Sequence, residues 1–147
     1  MRNRLASDLV LAFPDFEKEF VVQTDASGTG IVGLLLQMGD EGKLRPVCYA
    51  GRSLNKHEKN AASAHLELLA LVYCIMQFDM YLADKHFEVY TDCQALTHIF
   101  RNSKTKLNRR MARLILRIEG YDFTVYHKKG IVNRAADALS RAKYTWS

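Results

Sequence analysis

The sequence predicts an α/β fold built on a five-stranded mixed sheet, three antiparallel strands followed by two parallel additions, flanked by helices. Three observations carry this expectation. Strand-like runs at residues 20–25, 31–37 and 44–50 are separated by compact turn segments. A long apolar helical pattern over residues 60–82 comes next. Two further strand-like runs, at 86–92 and 123–127, alternate with helical patterns.

Phe20-Val-Val-Gln-Thr-Asp25 opens the sheet with mostly β-favouring residues. Ala26-Ser-Gly-Thr-Gly30 is turn chemistry, and Met38-Gly-Asp-Glu-Gly42 is a tight reversal. Short connections of this kind join antiparallel neighbours. In the helix expected over 60–82, the apolar residues Leu66, Leu68, Leu69, Leu71, Val72, Ile75, Met76, Phe78 and Tyr81 wrap more than one stripe, so most of it is buried. A crossing helix permits the fourth strand to lie parallel to the first. In that strand Phe87, Val89 and Thr91 share one side. Short helices are expected at 93–100 and 107–119, the second with Leu114, Ile115 and Ile118 toward the core. After a turn at Lys128-Lys-Gly130, Asn133 is placed to cap a closing helix that runs through Arg141. The order is βββαβααβα.

The chain has 147 residues, a net charge of +5 and a pI near 9.2. The length suits one domain with a genuine core. We divide it into a lead-in (1–17), one domain (18–142) and a tail (143–147). Cys48, Cys74 and Cys93 are odd in number and widely spaced, a poor disulfide framework and a poor zinc site. Cys48 and Cys74 read as core fillers, and reduced thiols fit an intracellular compartment. No stretch approaches the roughly 20 apolar residues of a membrane span, and the N-terminus lacks an apolar signal core. A soluble, intracellular protein with no membrane partner is expected. The basic balance is compatible with a polyanionic partner. Between Arg101 and Arg117 lie seven basic residues and no acid.

Four acids stand out. Asp25 and Asp92 each end a strand as Thr-Asp. If strands one and four are parallel neighbours, both carboxylates sit beyond the strand carboxyl ends, where open α/β sheets bind ligands. Taken singly, each also fits a turn or a helix N-cap. Glu67 is the sole acid between Glu58 and Asp79, and Leu71, Cys74 and Phe78 share its stripe. An unpaired ionised carboxylate there is costly, so it needs a cation, a proton or an exit to solvent. Asp137, in Arg134-Ala-Ala-Asp-Ala-Leu-Ser140, also fits a first-turn position that complements the helix dipole. Converging carboxylates have a chemical purpose. Magnesium prefers hard oxygen ligands, and two such ions about 4 Å apart promote phosphodiester hydrolysis.

Five pieces then suggest a family: Thr24-Asp-Ala-Ser27, Tyr49-Ala-Gly-Arg-Ser-Leu54, Glu67-Leu-Leu-Ala70, Tyr90-Thr-Asp92 with Ala95-Leu96, and Ala136-Asp-Ala-Leu-Ser-Arg141. In order and spacing they resemble the ribonuclease H domain of reverse transcriptases, in particular the Ty3/gypsy class of LTR retrotransposons, over residues 13–141. Ala12-Phe-Pro-Asp-Phe16 is similar to the segment that joins the polymerase part to this domain, which implies a piece of a Pol polyprotein.

The resemblance implies a ribonuclease H-like fold and an endonuclease that cuts the RNA strand of RNA–DNA hybrids. It implies cytoplasmic activity within retrotransposon particles, with the hybrid and the polymerase part as partners. Asp25, Glu67, Asp92 and Asp137 match the family's four metal-binding carboxylates, for two Mg2+ ions with Mn2+ as substitute. By the same likeness Asp25 bridges both ions, Glu67 and Asp92 complete one side, and Asp137 completes the other. Gln94 matches a position that touches the hybrid, and His127 a histidine that assists product departure.

The sequence departs from the family at Gly51, Ala61, His65, Leu66 and Cys93, around the helix start and the site margin, which bears on substrate grip more than on metal binding. The short Phe100–Leu107 connection leaves no room for the basic protruding handle of cellular relatives.

Arg109, Arg113 and Arg117 share one helical stripe at i, i+4 spacing, a candidate phosphate-binding face that also fits a plain solvated one. Arg52 is a further candidate phosphate contact. The alternative to a nuclease is a non-catalytic nucleic-acid-binding or scaffolding module derived from it. Intact acids at all four positions favour the nuclease.

Overall fold

The computed structural model describes residues 11–40, 42–102 and 107–127. Its first three strands are β1 (Phe20–Ala26), β2 (Gly30–Met38) and β3 (Leu44–Ser53), antiparallel in succession. Then come a 3-10 turn (Glu58–Asn60) and the helices α1 (Ser63–Gln77) and α2 (Asp79–Leu82). β4 (His86–Thr91), α3 (Gln94–Arg101), α4 (Arg109–Arg117) and β5 (Asp122–His127) follow. The sheet order is β3-β2-β1-β4-β5, with β4 parallel to both β1 and β5. This is the predicted mixed sheet. The closing helix expected at 133–141 and the Phe100–Leu107 connection fall wholly or partly outside the described residues. Among those described, no helix is long and apolar enough to cross a membrane.

The main core lies between one face of the sheet and the helices. Phe20, Val22, Ile31, Leu35, Phe87 and Val89 meet Leu68, Leu71 and Ile75 of α1, with Leu96, Leu114 and Ile118 from the later helices. Val32, Leu34 and Leu36 on the opposite face are also buried. Burial on both faces is why β2 reads as an unbroken apolar run rather than an alternation.

The long helix expected over 60–82 is a correction. It starts at Ser63 because Glu58–Asn60 closes a separate turn and Ala61 and Ala62 are extended (ψ 153° at both). It breaks at Phe78, whose φ of −94° and ψ of 16° interrupt the helical geometry. Phe78 is itself buried, and just after the break the Asp79 carboxylate accepts a hydrogen bond from the Tyr121 hydroxyl. Tertiary contacts overrode a continuous helical pattern.

Gly33 sets how deeply α1 sits. It pairs with Thr24 of β1, and a Cβ at this position would lie 2.3 Å from Cys74 Sγ. Only a residue without a side chain lets the helix approach so closely. Cys74 is fully buried, and desolvation pushes its thiol pKa far up, so it is an inert core filler as expected.

Candidate active site

β1 and β4 bring two carboxylates to one end of the sheet. Their parallel register runs from Val21 opposite Glu88 to Gln23 opposite Tyr90. Carried two residues further, the same offset sets Asp25 level with Asp92. Both residues are exposed. Asp92 does not cap the helix that follows: Cys93 holds that position and makes no side-chain cap bond.

Glu67 arrives from α1. It lies two turns before Cys74 on the same stripe, the one seated on Gly33. Only 9% of its surface is exposed. Its Oε1 accepts a hydrogen bond from the Ala26 backbone N–H at 2.8 Å, beside Asp25. The buried acid singled out in the sequence therefore reaches the sheet edge that carries the two aspartates.

His127 ends β5 opposite Thr91 and is exposed. Its ring Nε2 is 3.1 Å from the Asp92 carbonyl oxygen, which puts it at the margin of the same edge. Gln94, also exposed, begins α3 two residues past Asp92. Asp137 lies outside the described residues. Among those described, no group of three or more His, Cys, Asp or Glu side chains is gathered tightly enough to hold a metal ion. What the fold brings to this end of the sheet is the backbone positions of Asp25 and Asp92 and the side chain of Glu67.

The basic residues divide into two kinds. Arg109, Arg113 and Arg117 are all exposed along α4, and among the described residues none makes an ion pair. Asn108 caps this helix, its Oδ1 accepting from Met111 N–H at 2.8 Å. Arg52, by contrast, is committed within the fold. It forms a bidentate pair with Glu58 at 2.8 and 2.9 Å. Arg52 holds the Glu58 carboxyl down at about 2, while Glu58 raises the Arg52 pKa further.

Three groups near the edge went unseen in the sequence reading: the Ala26 amide, the Gly33–Cys74 contact and Glu58. A readable signal existed for the last. Asn55 and Glu58 have the spacing of a reciprocal capping pair, and they bond that way, Asn55 N–H to Glu58 Oε1 at 2.8 Å and Glu58 N–H to Asn55 Oδ1 at 2.9 Å.

Comparison with known proteins fits this architecture. The family described as the RNase H-like domain found in reverse transcriptase matches residues 15–121. The chain belongs to this family. It is 39% identical over 141 residues to the retrovirus-related Pol polyprotein from transposon 412 of Drosophila melanogaster, covering 96% of this chain and 11% of that protein. With the Pol polyprotein from transposon gypsy of the same fly it shares 37% identity over 143 residues, covering 96% of this chain and 13% of that protein. The chain thus spans a small part of the curated relatives it matches. Among solved structures, RNase H1 from the archaeon Halobacterium salinarum NRC-1 superposes with a TM-score of 0.62 at 16% identity, covering 88% of this chain and 99% of that one. The foamy viral protease-reverse transcriptase in complex with RNA/DNA hybrid gives 0.58 at 22%, covering 81% and 16%. The fold of this RNase H-like domain is therefore the ribonuclease H fold.

Proposed function

We propose that this RNase H-like domain is an endonuclease that hydrolyses the RNA strand of RNA–DNA hybrids during reverse transcription of an LTR retrotransposon. One observation carries the reading. A buried glutamate from α1 is hydrogen-bonded to the backbone beside Asp25, at the edge where the register also sets Asp92. Asp25, Glu67, Asp92 and Asp137 would hold two Mg2+ ions, with Mn2+ as the substitute. When bound, such ions supply an activated water and stabilise the leaving oxyanion. Like charges about 4 Å apart repel by about 4 kcal/mol at an effective dielectric of 20, so closing the carboxylates into a cluster calls for a cation.

The chain's own groups do the rest. Gln94 would touch the hybrid at the start of α3, and His127 would assist product departure. Arg109, Arg113 and Arg117 would bind phosphates along the exposed face of α4, reading the shape of the duplex rather than its bases. The foamy viral neighbour solved with an RNA/DNA hybrid supports this choice of substrate. The Pol relatives support the polymerase part of a polyprotein as partner. The setting would be the cytoplasm, within retrotransposon particles.

The test is a labelled hybrid incubated with Mg2+ and either wild type or Asp25→Asn. Wild type should cut the RNA strand and the variant should not. Equal cleavage by both would refute the site. Hybrid binding by a wild type that does not cut would favour a non-catalytic nucleic-acid-binding module.

A further inference from the structure

Where β3 hands the chain to α1, a single arginine ties three pieces together. Arg52, the penultimate residue of β3, donates to Glu58 from Nη1 and Nη2 at 2.8 and 2.9 Å. Nη1 also donates to the Ser53 carbonyl at 3.1 Å. The guanidinium lies over the Tyr73 ring, 5.3 Å from its centroid, and the Tyr73 hydroxyl donates to the Gly51 carbonyl at 3.4 Å. So the end of β3, the Glu58–Asn60 turn and the middle of α1 are clamped at one point. A bidentate pair fixes direction as well as distance.

The clamp has a defined relation to Glu67. Across the sheet, Arg52 pairs with Ile31, and Ile31 with Ala26. The row that carries the clamp on β3 therefore carries, on β1, the amide that holds Glu67. α1 is fastened on two sides of this row: through Tyr73 and the Glu58 turn toward β3, and through Glu67 toward β1. Release of the first fastening frees the helix start to shift, and Glu67 lies in the second turn of that helix.

We propose that the Arg52–Glu58 pair is a positioning device for Glu67, holding α1 so that its carboxylate stays on the Ala26 amide. The catalytic consequence rests on the nuclease reading, but the positioning itself does not. Two roles for Arg52 now make opposite forecasts. If Arg52 positions Glu67, removing either partner does the same harm. If Arg52 binds a hybrid phosphate, removing Glu58 frees it and tightens hybrid binding.

The deciding measurement is amide hydrogen exchange by NMR on the full chain. Wild type, Arg52→Ala, Glu58→Gln and the charge-swapped Arg52→Glu/Glu58→Arg are compared, with the Val89 amide of β4 as internal reference. Expected is roughly tenfold faster exchange at Ala26 in each single variant, unchanged protection at Val89, and partial recovery in the swap. In hybrid cleavage, kcat should fall in both single variants with the hybrid Kd unchanged. Unchanged Ala26 protection in both overturns the proposal, as does weaker hybrid binding by Arg52→Ala alongside tighter binding by Glu58→Gln. Should Arg52→Ala not fold, Arg52→Lys keeps the charge but loses the fork, and carries the same readouts. Equal loss of protection at Ala26 and Val89 in Arg52→Lys also overturns it, since the effect is then not local. A wild type that does not cut the hybrid would sink the nuclease reading and leave the exchange data to decide the clamp.

Discussion

Glu67 Oε1 accepts the Ala26 amide proton at 2.8 Å, joining positions 41 residues apart in sequence. The bond fixes a buried acid at the carboxyl end of β1, next to Asp25. It also means that an amide oxygen could replace the carboxylate oxygen as acceptor without emptying the site.

Glu67→Gln should therefore fold as wild type yet lose Mg2+-dependent cleavage by about a hundredfold or more, equivalent to about 2.7 kcal/mol of barrier. Thermal unfolding and single-turnover cleavage of a labelled hybrid check the two halves separately. A variant that keeps its Tm and its activity would remove Glu67 from the site.

The sheet was legible because its cues are local. Turn residues separate β1, β2 and β3, and the alternation of Phe87, Val89 and Thr91 marks β4. Glu67 was legible too, as a lone acid on an apolar stripe. The break at Phe78 was not, because the sequence on either side keeps helical periodicity and the interruption comes from buried packing. Nor was the commitment of Arg52 to Glu58, since an exposed-looking arginine in a strand carries no mark of its partner. Only the Asn55–Glu58 spacing hinted that the turn before α1 was built rather than loose.

Gly33 is a second place where one atom decides the architecture. An added Cβ would lie 2.3 Å from Cys74 Sγ, 3.0 Å from Cys74 Cβ and 3.3 Å from the Gln23 carbonyl oxygen. Neither the short cysteine side chain nor the strand can yield cheaply. Gly33→Ala should destabilise the domain by about 1–3 kcal/mol, as overpacked cores do. Urea unfolding should show a lower midpoint, and adding Cys74→Ala should recover part of the loss.

Acid should weaken the Arg52–Glu58 clamp in a defined window. Glu58 is held at about 2, against an ordinary value of 4.5, chiefly by its hydrogen bonds from Arg52. A carboxyl with a lowered folded pKa stabilises the protein above its ordinary value and loses that contribution as pH falls toward the folded one. The clamp's share of stability should thus be intact above about pH 4.5 and vanish toward pH 2. In Glu58→Gln this part of the acid limb should be flatter in urea titrations run between those limits. An acid limb identical to wild type would mean that the pair contributes nothing measurable to stability.

The arginines of α4 make a claim about substrate grip. Arg109, Arg113 and Arg117 are exposed, lie four residues apart and make no ion pair among the described residues. A merely solvated face would tolerate their loss. A phosphate-binding face would not, because each contact releases a counterion and contributes about 0.9 to the slope of log K against log salt on duplex DNA. Replacing all three with Ala should weaken hybrid binding and flatten that slope by about 2 to 3. A face that only grips phosphates supplies uniform binding, so turnover at saturating hybrid should stay near wild type while KM rises. Fluorescence anisotropy across a salt series, paired with steady-state cleavage, separates the two effects. An unchanged salt slope would return the stripe to the status of a solvated surface.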